Sequence, residues 1–174
     1  MVLVRIISNI ESKFQGEGTM YKKILVPLDG SGFSECSLEH VKAIVSGCRV
    51  PETILLRVVE PLSAETVSAL AMAGDNLLYK VEQDSKAEAR NYIVKIKNEL
   101  ANNGLEVEAV VVDGRAAEEI LDYAKNNKVD LIVMTTHGKT GISRWFFGSV
   151  AQQVLQHSPV PILMIAPSGC RTST

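Results

Sequence analysis

The segment Thr136–Val150, "THGKTGISRWFFGSV", holds three glycines, one histidine and two cations between an apolar run and a helical pattern. Those residue types suit a phosphate. Glycine removes the Cβ that would hold a ligand away from the backbone, and a helix start offers free N–H groups at the positive end of the helix dipole. Gly148 and Ser149 fall at the predicted start of the last helix. Ser149 would there either cap the helix or give its hydroxyl to a phosphate. Gly138 directly follows the preceding strand, where the chain must reverse toward the same crevice. Lys139 and Arg144 would neutralise terminal phosphates, although single loop cations are more often simply solvated.

Other chemistries fit less well. "GKT" at 138–140 resembles the end of a P-loop, but the required earlier glycine would be at 133, which is Val133. "GSG" at 30–32 follows a strand, yet the third glycine of a dinucleotide fingerprint would be at 35, which is Glu35. Gly30 and Gly32 therefore read equally as a tight strand-to-helix turn or as a ligand contact. No acid is placed to orient His137 toward Ser149, and the G-x-S-x-G elbow is missing. His40 and His157 fall on predicted helices, and metal-ligand spacing is absent, so any metal would be Mg²⁺ brought in with phosphates. Trp145, Phe146 and Phe147 lack the basic groove of a nucleic-acid stacking platform and read as packing under the loop or at a subunit contact.

The elements that must position these residues alternate along the chain. Strands are predicted at 23–28, 53–60, 105–113, 129–135 and 160–166. Helices are predicted at 34–47, 116–127 and 149–158, with a long helical stretch over 63–103 that "AGDN" (73–76) breaks and "NNG" (102–104) closes. Apolar strands alternating with helices imply an α/β fold: an open, doubly wound, five-stranded parallel sheet with helices on both faces. Ligands of such sheets bind at the carboxyl ends of the strands, near a topological switch point.

Composition narrows the class further. A chain of 174 residues is expected to form one main domain with a substantial core. The net charge of -2 leaves no basic footprint for nucleic acid. No apolar run approaches the ~20 residues of a membrane helix, and the N-terminus lacks the long apolar region of a signal peptide. A cytoplasmic location is the expectation. Three cysteines with no C-x-x-C pair argue against a zinc site or a disulfide framework, and Cys36 and Cys48 read as small packing residues in helices. Residues 1–19 precede a second methionine, Met20, and read as an N-terminal extension or the product of a misplaced start.

"KKILVPLDGS", "LLRVVEP" and above all "THGKTGISRWFFGSVAQQVLQHSPVPILMI" together resemble the universal stress proteins. The resemblance covers roughly residues 20–167, implying a Rossmann-like domain at 20–168 and a short tail at 169–174. The ATP-binding branch of that family carries G-x2-G-x9-G-[ST]. Gly138, Gly148 and Ser149 match its last three elements, while Thr135 stands where the first glycine belongs. A β-branched residue there would be costly if the backbone needed positive φ, or would narrow the site if it needed only close approach.

The resemblance implies that Asp29 lies near adenine or ribose, or else serves as a turn residue or helix cap. It implies that Val58 or Val59 offers backbone hydrogen bonds to the adenine edge. Gly138, Gly148, Ser149 and Val150, with Thr135 beside them, would cradle ribose and phosphates. It further implies ATP or another adenine nucleotide, with Mg²⁺, as cofactor, and a homodimer formed by antiparallel pairing of the C-terminal strand. The expected role is a stress-response regulatory module acting through an unidentified partner protein, with at most slow ATP hydrolysis. The alternatives are a nucleotide-free scaffold or chaperone-like dimer, in which Thr135 closes the crevice, and an enzyme of the adenine nucleotide α-hydrolase-like group.

Overall fold

The computed structural model describes residues 19–74, 76–136 and 148–166. Along them run β1 (Lys23–Pro27), α1 (Gly32–Glu35), α2 (Ser37–Cys48), β2 (Glu52–Val59), α3 (Ala64–Ala73) and α4 (Leu77–Asn102). They are followed by β3 (Glu108–Asp113), α5 (Ala116–Asn126), β4 (Leu131–Thr135), α6 (Ser149–His157) and β5 (Ile162–Ile165). The strands form one parallel sheet in the order β3-β2-β1-β4-β5.

The sheet is parallel because its central strands are apolar on both faces. Ile24, Leu25 and Val26 in β1, Leu55 and Leu56 in β2, and Ile132 and Val133 in β4 are fully buried. On one face Ile24, Val26, Leu55 and Val133 pack beneath Val41 of α2 and Ile93, Ile96 and Leu100 of α4. On the other, Leu25, Leu56 and Ile132 pack beneath Ile120 and Ala124 of α5 and Val154 of α6. This is the doubly wound architecture expected from the sequence.

Winding runs outward from β1 to β2 and β3, then returns to place β4 on the far side of β1. Right-handed crossovers in opposite directions put the second pair of helices on the opposite face. The backbone amides of Lys22 and Lys23 donate to Asp130 Oδ2 at 2.7 and 2.9 Å, tying the start of β4 to β1. Registered pairing of β1 with β4 covers only Ile24–Leu131 and Leu25–Ile132, whereas β1 and β2 pair from Lys23 to Pro27. The carboxyl ends of β1 and β4 therefore part, and a crevice opens at the switch point.

Three local readings change. The single helix expected at 34–47 is split into α1 and α2 at Cys36. Ser34 Oγ donates to the Ser31 carbonyl at 2.8 Å and Ser37 Oγ to the Ser34 carbonyl at 2.7 Å, the local competition that serine offers a helix. Secondly, β3 begins at Glu108, not residue 105. Leu105 belongs to the end of α4: its N–H donates to the Leu100 carbonyl while that of Gly104, at φ 79°, donates to Ala101. That pair of bonds is a Schellman cap, which "NNG" signals in part. Thirdly, Cys48 is a free, half-buried thiol, but Cys36 is disulfide-bonded and is not the simple packing residue expected.

Candidate functional site

A cavity of about 450 Å³ lies at the carboxyl ends of β1, β2 and β4, closed on one side by the start of α6. The turn after β1 contributes Asp29, β2 Val58 and Val59, β4 Thr135, and the N-cap and first turn of α6 Gly148, Ser149 and Val150. Of the residues singled out from the sequence, these seven meet around one space. Gly138 lies outside the described residues, as do His137, Lys139, Arg144 and the aromatic run 145–147.

The electrostatics of the site come from a contrast between two helix starts. The N–H of Ala116, opening α5, donates to Glu60 Oε1 at 3.2 Å, and Glu118 and Glu119 occupy its first turn. That helix start already has anions. α6 has none: its N-cap is Gly148, which has no side chain to cap with, and its first turn carries no acid. The N–H of Gly148 donates to the Thr136 carbonyl at 2.8 Å, and its carbonyl accepts from Gln152 at 2.9 Å. The amides of Ser149, Val150 and Ala151 are left without an intrahelical acceptor, as helix geometry requires. They stand at the positive end of α6, on the wall of the cavity.

Ser149 is thus the first helical residue and not the N-cap, which removes the cap as an account of its hydroxyl. Gly148 has φ -58°, a value any residue adopts, so conformation alone does not demand glycine there. Thr135 continues β4 in register with Ile165 of β5 and is buried at 6% exposure. Its backbone is not among the positive-φ positions, so the strain considered for a β-branched residue does not arise. Nor does its side chain fill the crevice, since the cavity remains around it.

Asp29 has the turn role in addition to lining the cavity. Its carboxylate accepts from the N–H of Ser31 at 2.9 Å and from the Ser31 hydroxyl, a side-chain-closed turn. The Ser31 hydroxyl in turn accepts from the Ser34 N–H and caps α1. Gly30, at φ 83°, completes this turn and is glycine for that reason. Val59 sits at the end of β2, and its carbonyl accepts the N–H of Gly114 at 3.0 Å.

Sequence reasoning missed Arg57, Glu60, Ser34 and Ser85, all of which line the cavity. Arg57 carried a signal: a lone cation within the apolar run "TILLRVV" must find a partner or a function. Ser85 comes from the middle of α4, distant in sequence, and no local pattern announces it. Beside the site, Tyr92 of α4 donates to Glu35 Oε1 at 3.1 Å. Burial, then the Glu35 charge, pushes the Tyr92 phenol well above its ordinary range. Among the described residues no cluster of histidine, cysteine and acidic side chains could hold a metal, and no helix is long and apolar enough to cross a membrane.

The sequence profile described as "Universal stress protein family" matches residues 20–166. Universal stress protein MJ0577 of Methanocaldococcus jannaschii is 35% identical, the match covering 84% of this chain and 95% of that protein. Universal stress protein YxiE of Bacillus subtilis is 26% identical, with 84% and 99% covered. A solved structure of MJ0577 superimposes with a TM-score of 0.72 at 33% identity, covering 89% of this chain and 99% of that one. At the level of fold alone, the chain resembles an Arabidopsis thaliana family protein with AMP bound (TM-score 0.59, 18% identity, 83% and 91% covered). It likewise resembles a universal stress protein in complex with cAMP (TM-score 0.53, 19% identity, 84% and 98% covered). With a profile match over nearly all described residues and a relative 35% identical across 95% of its length, this chain belongs to the universal stress protein family.

Proposed function

We propose that this chain is an adenine-nucleotide-binding regulatory module of the stress response, working in the cytoplasm as a homodimer through a partner protein. The observation that carries the reading is the uncapped start of α6 on the wall of a 450 Å³ cavity. A cavity of that size falls within the range of ~300–1,000 Å³ usual for small-ligand sites. The amides of Ser149, Val150 and Ala151 would hold phosphate, with the Ser149 hydroxyl as a further donor. Gly148 would let the phosphates approach the backbone, and Gly138 would supply a second close approach. Asp29, Val58 and Val59, at the other end of the cavity, would face ribose and base. Mg²⁺ would arrive with the phosphates. The relatives solved with AMP and with cAMP support an adenine nucleotide as the ligand class.

Binding through backbone amides suits a sensor, whose ligand shifts a conformational equilibrium, better than a catalyst. The test is calorimetric titration of nucleotide-stripped protein with Mg-ATP, beside a folded Gly148→Val variant. Saturable one-per-chain binding that the variant loses is expected. No heat and no thermal stabilisation at millimolar ATP would sink the reading and favour the nucleotide-free scaffold.

A further inference from the structure

The most unusual side chain at the site is one the phosphate cradle does not use. Arg57 sits in β2 between Leu56, fully buried, and Val58, 7% exposed. Strand alternation points it away from the face that carries those two residues. Its guanidinium reaches over the β1–α1 turn: Nη2 lies 3.8 Å, and the central carbon 3.9 Å, from where a Cβ on Gly30 would stand. It lines the same cavity as Asp29 and Ser149. Its Nε is buried and has no hydrogen-bond partner. No ion pair among the described residues involves it. The two acids that line the cavity accept other bonds, Asp29 from Ser31 and Glu60 from Ala116, and among the described residues neither is ion-paired with Arg57.

A buried donor with no acceptor is destabilising, and a charged one more so. Nε itself is enclosed, but Arg57 lines the cavity, so a ligand acceptor there can meet the guanidinium. Position within the sheet indicates which part of the ligand. The start of α6 follows β4, while Arg57 is on β2, and β1 lies between those strands. Two strand spacings separate them, roughly 10 Å. Phosphates at α6 therefore leave the nucleoside end facing Arg57. Guanidinium offers donors only, so it meets the acceptor atoms of that end: ring nitrogens of the base or sugar oxygens.

We propose that Arg57 is a ligand-contacting residue that recognises the nucleoside moiety and not the phosphates. This rests on the nucleotide-binding reading above. The test measures adenosine, AMP and ATP binding to the wild-type chain, Arg57→Met and Arg57→Lys, with unliganded thermal midpoints for each. The expected result is a loss of about tenfold or more with Arg57→Met, equal for all three ligands, corresponding to one lost charge-assisted hydrogen bond. Arg57→Lys should not restore it, because lysine keeps the charge but not the planar fork of donors. The unliganded midpoint of Arg57→Met should equal or exceed that of wild type, since an orphan donor is gone. A loss confined to ATP, or shrinking from ATP to adenosine, would assign Arg57 to the phosphates and overturn the proposal. So would unchanged affinity, or a lowered midpoint with unchanged affinity, which would make Arg57 a structural strut. If the wild-type chain binds none of the three, the underlying reading fails as well, a result separable from failure of Arg57 alone.

Discussion

Thr135 occupies the position where the nucleotide-binding pattern has its first glycine, yet its backbone is that of an ordinary strand paired with Ile165. Thr135→Gly should therefore cost about 1 kcal/mol or more of stability, from chain entropy and lost packing. It should leave Mg-ATP affinity within about threefold of wild type. A tenfold gain in affinity would show instead that the threonine side chain obstructs the site. Motif spacing made this position and the start of α6 legible in advance, because glycines and a helix start advertise themselves in a local window, whereas Asp29, Val58 and Val59 came only from the family resemblance. Ser85 was not legible, and Arg57 stood out only as a lone cation in an apolar run, because their roles depend on which strand lies beside β1 and where α4 crosses it. Tyr92 gives a separate test. Its phenol is raised above the ordinary 10.0 by burial and by Glu35, so the fold favours the protonated form. Its stabilising contribution is complete below pH 10 and is lost as pH climbs from there through the raised value. Tyr92→Phe should cost about 1 kcal/mol at neutral pH by losing the bond to Glu35. It should also flatten the alkaline fall in the unfolding free energy, measured by denaturant titration between pH 9 and 11. An unchanged alkaline slope would place that sensitivity elsewhere.

At the scale of elements, the two helix starts at this end of the sheet are built for different tasks. α5 takes an internal carboxylate from Glu60, while α6 presents bare amides to the cavity. The boundaries that hold them follow from turn chemistry. Gly114, between β3 and α5, has φ 148°, and a Cβ there would run into the Glu119 side chain. Gly114→Ala should destabilise the protein by more than about 1 kcal/mol, read from denaturant midpoints. A neutral result would mean that the turn relaxes without disturbing the start of α5. Strands and long helices were legible because their apolar periodicity is strong. The division at Cys36 and the late start of β3 were not, because each depends on a hydrogen bond made by one or two residues.

For the whole molecule, the parallel, doubly wound sheet followed from the alternation of apolar strands with helices, but the strand order did not. Order is decided by pairings between residues far apart in sequence, which periodicity does not encode. That order leaves β5 at an edge, with Ile162, Leu163 and Met164 only half-buried in the single chain. Pro159 and Pro161 both precede the strand and leave its own amides available. An apolar edge of this kind calls for a cover. We propose a second copy paired along β5. Sedimentation should give twice the chain mass for the wild type and a shift to monomer for Met164→Lys. A wild-type monomer at tens of micromolar would sink that arrangement.

The short bond from the Gly148 amide to the Thr136 carbonyl has a consequence for how such a molecule can diversify. It ties the two residues flanking the stretch 137–147, Thr136 after β4 and Gly148 at the start of α6, directly to each other. For a flexible stretch, doubling the length would cost only roughly 0.6 kcal/mol of closure entropy. Lengthened, shortened or wholly exchanged, that stretch would leave the first turn of α6 where it is. The helix start proposed to bind the anion is thus held by the sheet, and new recognition acquired between Thr136 and Gly148 would have to spare Gly138, the proposed second close approach.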